Sequence, residues 1–413
     1  MAVNHLSRCG RGYLGGVQKE ITLGQWFGVV PCPQTCGRVT RAASFLAETE
    51  SAISRGGYVD PHAGRLLFGK YAERWRESRN DELTTRARDA SILRTHVLPR
   101  WSDVPLFRID HLAVQSWVTE LSGRRSPATV AECFRLLSSV LRAAVRDRLI
   151  GANPCEGVKV PSRRKKATDG HVLTRADLVG RLLPAVPDRY RALVALAGGT
   201  GLRWGECTGL RWEALDLDAK TVQVVRVAIE VAGTVTIKPY PKSRAGRRIV
   251  PVPDFAVELL AAHHEAFPAG PRGDVFTNSS AGPLRRTLFR ARVWRPSLVR
   301  AGLLGDVSRL GHFKWRAAWV DLEGVTWSAE FTTEREAVAH IAKMAPGGLR
   351  FHDLRHSYAT ELVSRGVPVN DVQAVMGHEK PSTTLNLYTH RSDGRDQRIR
   401  DAFADDPLTS NDD

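Results

Sequence analysis

From residue 200 onward this 413-residue chain carries five short motifs rich in groups that handle phosphate chemistry. In order they are Thr200-Gly201-Leu202-Arg203-Trp204-Gly205-Glu206; Lys242-Ser243 ahead of Arg247-Arg248-Ile249-Val250-Pro251; His352-Asp353-Leu354-Arg355-His356-Ser357; Met376-Gly377-His378; and Asn386-Leu387-Tyr388-Thr389-His390. A tyrosine hydroxyl suits covalent attack on a phosphodiester, because the ester it forms can later be displaced by another hydroxyl. The transition state gathers charge on two non-bridging oxygens and needs donors oriented before that charge appears. Arg203 and Arg355 offer permanently charged planar forks, and His378 a further hydrogen bond.

Each motif alone is weak, since an Arg after Thr-Gly is common and a lone His-x-x-Arg is usually a surface pair. Their order and spacing are the stronger signal: His378 lies 23 residues after Arg355, and Tyr388 ten after His378. In these residues the chain resembles the tyrosine recombinase (phage integrase) family, over roughly residues 66 to 390. The resemblance implies a catalytic set of Arg203, Lys242, His352, Arg355, His378 and Tyr388. Tyr388 would form a 3′-phosphotyrosyl link to DNA. Lys242, on a mobile hairpin, would protonate the leaving 5′-oxygen, with Lys238 as the competing choice because hairpin register is weakly set by sequence. His352 would assist proton transfer at the tyrosine; a structural helix-terminal histidine is the plainer reading. Glu206 is either a brace for the Arg203 guanidinium or an ordinary surface ion pair. No carboxylate cluster for two metals is evident, and the resemblance implies no cofactor.

The composition agrees with a polyanionic partner. Lys and Arg number 60 against 44 Asp and Glu, a formal charge of +16. Residues 401 to 413 hold five of the acids and no base, so the preceding 400 residues carry +21 (60 basic against 39 acidic). This disfavours an acidic solvating protein or an ordinary metabolic enzyme, and a 42% apolar fraction disfavours general disorder. No apolar run approaches a membrane span and the start shows no secretory signal order, so a cytoplasmic protein without membrane attachment is expected. The six cysteines are sparse; Cys9, Cys32 and Cys36 with His5 match no compact zinc module.

These residues must be positioned by more than one folded unit. The expected class is α+β: a helical, SAM-like core-binding domain over residues 66–154, a basic linker over 155–170 with Arg163-Arg164-Lys165-Lys166, and a mixed catalytic domain over 171–390. In the first, helices are expected over Thr84–Val97 and Leu112–Leu121. A third starts at Ser126 and Pro127, with an apolar stripe from Val130 to Val145. In the second, Thr221–Ile229 and Thr234–Ile237 read as two arms of one hairpin turning at Ala232-Gly233, with a strand over Arg247–Val252. Helices are expected over Phe255–Phe267, Leu284–Ala301 and His352–Arg365.

A hairpin-plus-helix insert is expected over about residues 312–344. Trp315 and Trp319 alternate on one arm, Trp327 lies on the other, and Thr333 with Glu336 forms a capping box. Its plan resembles the family's arm-site DNA-binding modules; a packed insertion that only buries its aromatics is the alternative. Residues 1–65 read as an N-terminal region with a degenerate arm-binding module, including a helix over Ala42–Ser54, and residues 391–413 as a C-terminal tail.

The resemblance implies partners as well: duplex DNA attachment sites, a homotetramer on that DNA, and an accessory DNA-bending or excision factor. An integrase of a phage, prophage or related element fits the extra segments better than a host recombinase that resolves chromosome dimers. A non-catalytic DNA-binding regulator on the same scaffold predicts an eroded active-site set, yet all six positions are filled. A type IB topoisomerase shares the nucleophile but not this motif order.

Overall fold

A computed structural model describes residues 63–161, 172–238 and 247–377, the strand residues 11–14 and 17–20, and the isolated positions Ala47, Ser51 and Ser54. Lys242, His378 and Tyr388, the run Arg163–Lys166, the tail and the N-terminal cysteines lie outside the described residues. The chain divides into two compact units, Met1–Arg164 and Lys165–Asp413.

Among the described residues of the first unit, four principal helices enclose one core. They are Phe68–Glu77, Leu83–Ile92 continued through a wider turn at Leu93–Val97 into Leu98–Trp101, His111–Ser122, and Pro127–Arg146. The last starts where expected: the Ser126 hydroxyl accepts the Thr129 amide at 3.3 Å, and Pro127 occupies the first turn, where its missing N–H costs nothing. Val130, Cys133, Leu137, Leu141 and Ala144 recur on one face and are fully buried. At about 2 kcal/mol per buried large aliphatic side chain, that stripe outweighs any local propensity in fixing the helix. Burial raises the Cys133 thiol to about 11, so it acts as a small apolar core group. Near the N-terminus, Arg11–Leu14 pairs antiparallel with Val17–Glu20, a hairpin that the residue pattern does not announce.

The second unit is built around helix Asp188–Thr200, whose residues Ala192–Ala197 are all buried. Neighbours surround it, so its sequence lacks a polar stripe. On one side lies a three-stranded sheet, Leu215–Asp216, Thr221–Val224 and Arg248–Pro251 in that spatial order, all antiparallel. The expected single arm Thr221–Ile229 is two strands: Thr221–Val224 stays in this sheet, while Val227–Val231 pairs with Thr234–Lys238 in a separate hairpin. The break falls at Val225-Arg226, and the turn is at Ala232-Gly233 as expected. Apolar β-branched residues shift parity at Val224-Val225, from Val222 and Val224 to Val225, Val227 and Ile229, where the chain changes sheet.

Helices Asp254–Ala266, Arg286–Arg300 (with a wider turn at Arg290–Trp294) and Asp353–Ser364 complete this body. The insert has one strand more than expected. Asp306–Gly311, Lys314–Val320 and Thr326–Phe331 form an antiparallel sheet with Lys314–Val320 central, followed by helix Glu334–Met344. The capping box is present, with Thr333 Oγ1 accepting the Glu336 amide at 3.2 Å. Ala317, Ala337, Val338 and Ile341 are buried in the core cluster of this unit, so the insert is packed onto it.

Candidate active site

Two helix ends organise the site. Helix Asp188–Thr200 stops at Gly201 and helix Val369–Met376 stops at Gly377, each glycine in the left-handed region at φ 64° and 61°. At Gly201 the conformation is joined by crowding, because a Cβ would lie 2.5 Å from Tyr358 Cδ1. The carbonyls these ends expose receive the two candidate arginines. Arg355, 2% exposed, donates from Nη1 to the Gly201 carbonyl at 2.7 Å and from Nη2 to the Met376 carbonyl. Arg203 donates from Nη2 to the Gly377 carbonyl at 3.4 Å. The partial negative charge of a helix C-terminus favours a cation there; two carbonyls fix the plane of the Arg355 fork, and one carbonyl with the Glu206 carboxylate that of Arg203.

Arg203 begins helix Trp204–Thr208, and Glu206 closes its first turn. The Glu206 carboxylate accepts the Arg203 amide at 2.8 Å on Oε2 and Arg203 Nη1 at 2.9 Å on Oε1. It also accepts Arg248 Nη2 at 3.0 Å and Nη1 at 3.2 Å. Glu206 is therefore a buried brace, not a surface ion pair. Burial alone would raise its pKa, but the hydrogen bond and charge of Arg248, then the charge of Arg203, outweigh that and hold it below the usual carboxylate range. Gly205 lets this short helix lie directly on the hairpin, since a Cβ there would meet the Ala228 carbonyl at 2.4 Å.

His352 caps helix Asp353–Ser364, so it stands one turn before Arg355. Desolvation, then His356, Arg355 and Arg203, push its pKa down to about 4, although part of the residue stays open to solvent. The imidazole is neutral at pH 7 and able to accept a proton. The approach to His352 is held rigidly: Trp294 Nε1 donates to the Leu349 carbonyl at 2.7 Å, and Phe351 meets Trp204 edge-on at 5.0 Å. Asp353, buried, accepts the Arg350 amide at 2.7 Å and its guanidinium at 2.7 Å.

Arg203, Arg355 and His352 are thus brought together. Lys238, the alternative lysine, ends its strand opposite Val227. Sequence reasoning missed Arg248. It shares the inward parity of its strand with fully buried Val250 while Ile249 is 62% exposed, and a charged residue on the inward parity was the signal. The described residues contain no group of three His, Cys, Asp or Glu able to hold a metal, and no helix among them is long and apolar enough to cross a membrane.

A helical unit and a mixed α+β unit, the latter with two arginines on glycine-ended helices, are the features that the comparisons with known proteins can be set against. The phage integrase family model matches residues 330–395. The putative prophage phiRv2 integrase of Mycobacterium tuberculosis is 27% identical over 375 residues, covering 89% of this chain and 87% of that protein. A tyrosine recombinase XerC-like protein of Caldanaerobacter subterraneus subsp. tengcongensis is 26% identical over 298 residues, covering 68% and 67%. Among solved structures, the Tn1549 transposon integrase in complex with circular intermediate DNA superposes with a TM-score of 0.60 at 18% identity, over 82% of this chain and all of that one. That last likeness concerns the fold. In sequence, then, the chain is similar to phage and prophage integrases and to XerC-like tyrosine recombinases.

Proposed function

We propose that this protein is a site-specific recombinase, the integrase of a phage, prophage or related mobile element, that cuts and rejoins duplex DNA through a 3′-phosphotyrosyl intermediate and a Holliday junction. The observation that carries the reading is the convergence of Arg203 and Arg355 on the carbonyls of Gly201, Met376 and Gly377. Two guanidiniums held by backbone before any substrate arrives can meet the charge on two non-bridging phosphate oxygens without reorganising. Tyr388 attacks the phosphorus and displaces the 5′-oxygen; Lys242 gives that oxygen its proton, and His378 adds a hydrogen bond to the phosphoryl group. His352, neutral at pH 7, takes the tyrosine proton. A 5′-hydroxyl from the partner strand then reverses the step and frees Tyr388, so no external energy source is needed.

The net charge of +16 supports a duplex DNA partner and makes binding strongly salt-dependent. We assign the working form as a homotetramer on its attachment sites, assisted by a DNA-bending or excision factor. The longer alignment with the prophage integrase than with the XerC-like protein favours the mobile-element reading over chromosome-dimer resolution. The test is strand exchange between plasmids carrying the two ends of the encoding element. Recombinant product with the wild type and none with Tyr388→Phe is expected; product from both would overturn the assignment.

A further inference from the structure

Arg248 lies in one of the sequence motifs, yet none of the steps above uses it. Its side chain is 6% exposed, too deep to meet a phosphate, whereas that of Arg203 is 41% exposed. Its donors reach two separate parts of the site. Nη1 and Nη2 bind the two oxygens of Glu206 at 3.2 and 3.0 Å, and Nε donates to the Val375 carbonyl at 2.6 Å. Val375 belongs to the last turn of the helix that ends at Gly377, immediately before His378. Arg248 itself opens a strand and lies six residues after Lys242 in the sequence.

We infer that Arg248 is a positioning residue for phosphoryl transfer: it divides Glu206 between two guanidiniums and ties that carboxylate to the turn before His378. The inference rests on the recombinase reading. A carboxylate has about four acceptor positions. In Glu206 the Arg203 amide, Arg203 Nη1 and the two Arg248 nitrogens use them. Arg203 is therefore limited to one side-chain contact with Glu206, at 2.9 Å, and its remaining donors stay available to the Gly377 carbonyl and to substrate. Without Arg248, two acceptor positions on a buried anion fall vacant, and leaving them unfilled is costly. The nearby donor with room to move is the Arg203 guanidinium, which would rotate into a bidentate pair with Glu206 and withdraw from the phosphate. The Val375 carbonyl would lose its anchor as well.

The experiment measures three quantities for the full chain: the single-turnover rate of covalent adduct formation on a nicked duplex from an end of the element, the affinity for that duplex, and Tm. The variants are Arg248→Met, Arg248→Lys, Glu206→Gln and the Arg248→Met/Glu206→Gln double. Arg248→Met should slow adduct formation about 10- to 100-fold, the usual cost of losing a group that orients a reacting one, with affinity within about threefold of wild type. Arg248→Lys should also be slow, because one ammonium cannot span Glu206 and Val375 together. In the double variant the anion that captures Arg203 is gone, and the rate should rise several-fold above Arg248→Met. A merely structural Arg248 would lower Tm in all its variants without that recovery, and this would overturn the inference. Wild-type rates in Arg248→Met or, if that variant fails to fold, in Arg248→Lys would overturn it equally. Absence of any wild-type adduct would instead remove the recombinase reading.

Discussion

Two buried arginines in the second unit look alike and do different work. Arg355, beside the candidate site, and Arg295, beneath the insert, are 2% and 6% exposed, and both donate to backbone carbonyls at the ends of helices. Arg295 gives its hydrogen bonds to Ala342, Ala345 and Gly347, all on one stretch that closes helix Glu334–Met344. Arg355 instead bridges two stretches far apart in sequence, at Gly201 and Met376, and lies next to Arg203 and His352. A guanidinium among the carbonyls of one segment is a clamp. One that joins two glycine-ended helices beside other ionisable groups is an oriented donor. Burial of a charge therefore does not mark a site by itself; the company it keeps does.

Substitutions sharpen that contrast. Arg355→Gln should cut single-turnover DNA cleavage by about 10²- to 10³-fold, the cost of one oriented donor to a developing oxyanion, with duplex affinity far less changed. Arg295→Met should do the reverse, lowering stability by about 2–3 kcal/mol through unpaired carbonyls while leaving the cleavage rate of the folded protein near wild type. Denaturant melts alongside adduct kinetics separate the two, and a cleavage loss in Arg295→Met equal to that of Arg355→Gln would erase the distinction. Gly201→Ala should cost about 1–2 kcal/mol, from a positive φ and the contact with Tyr358, and slow cleavage because the carbonyl that holds Arg355 shifts.

The smallest effect concerns pH. His352 has a folded-state pKa depressed to about 4 against an ordinary 6.5, so the unfolded chain takes up its proton first as acid is added. Its contribution to stability is present above pH 6.5 and is lost as pH falls from 6.5 towards 4. His352→Gln should flatten the stability profile in that window, and an unchanged acid limb would show that this ring is not held neutral. Solvent access to His352 keeps the effect modest.

Much of this was legible in the residues. Ser126-Pro127 announced a helix start, which depends on local backbone rules that neighbours rarely override. The α+β class and the hairpin turn at Ala232-Gly233 followed from periodicity. The third insert strand did not, because Asp306–Gly311 is an edge strand with a bulge between Arg309 and Gly311 and little inward apolar content. Nor did the link between Arg248 and Glu206, 42 residues apart, because an ion pair across a fold leaves no spacing rule in the chain. The shared carboxylate and the carbonyl cradles are tertiary facts. What sequence reasoning could supply was the residue types, and those defined the chemistry before the geometry was known.

We propose, centrally, that Tyr388 becomes covalently joined to DNA at a phosphate met by Arg203 and Arg355. The most direct test is to trap the protein on a nicked duplex from an end of the element, digest the adduct and map the DNA-linked peptide. A 3′-phosphoryl group on the peptide containing Tyr388, with the adduct absent in Tyr388→Phe, is the predicted result. A DNA link at any other residue, or none from the wild type, would contradict it.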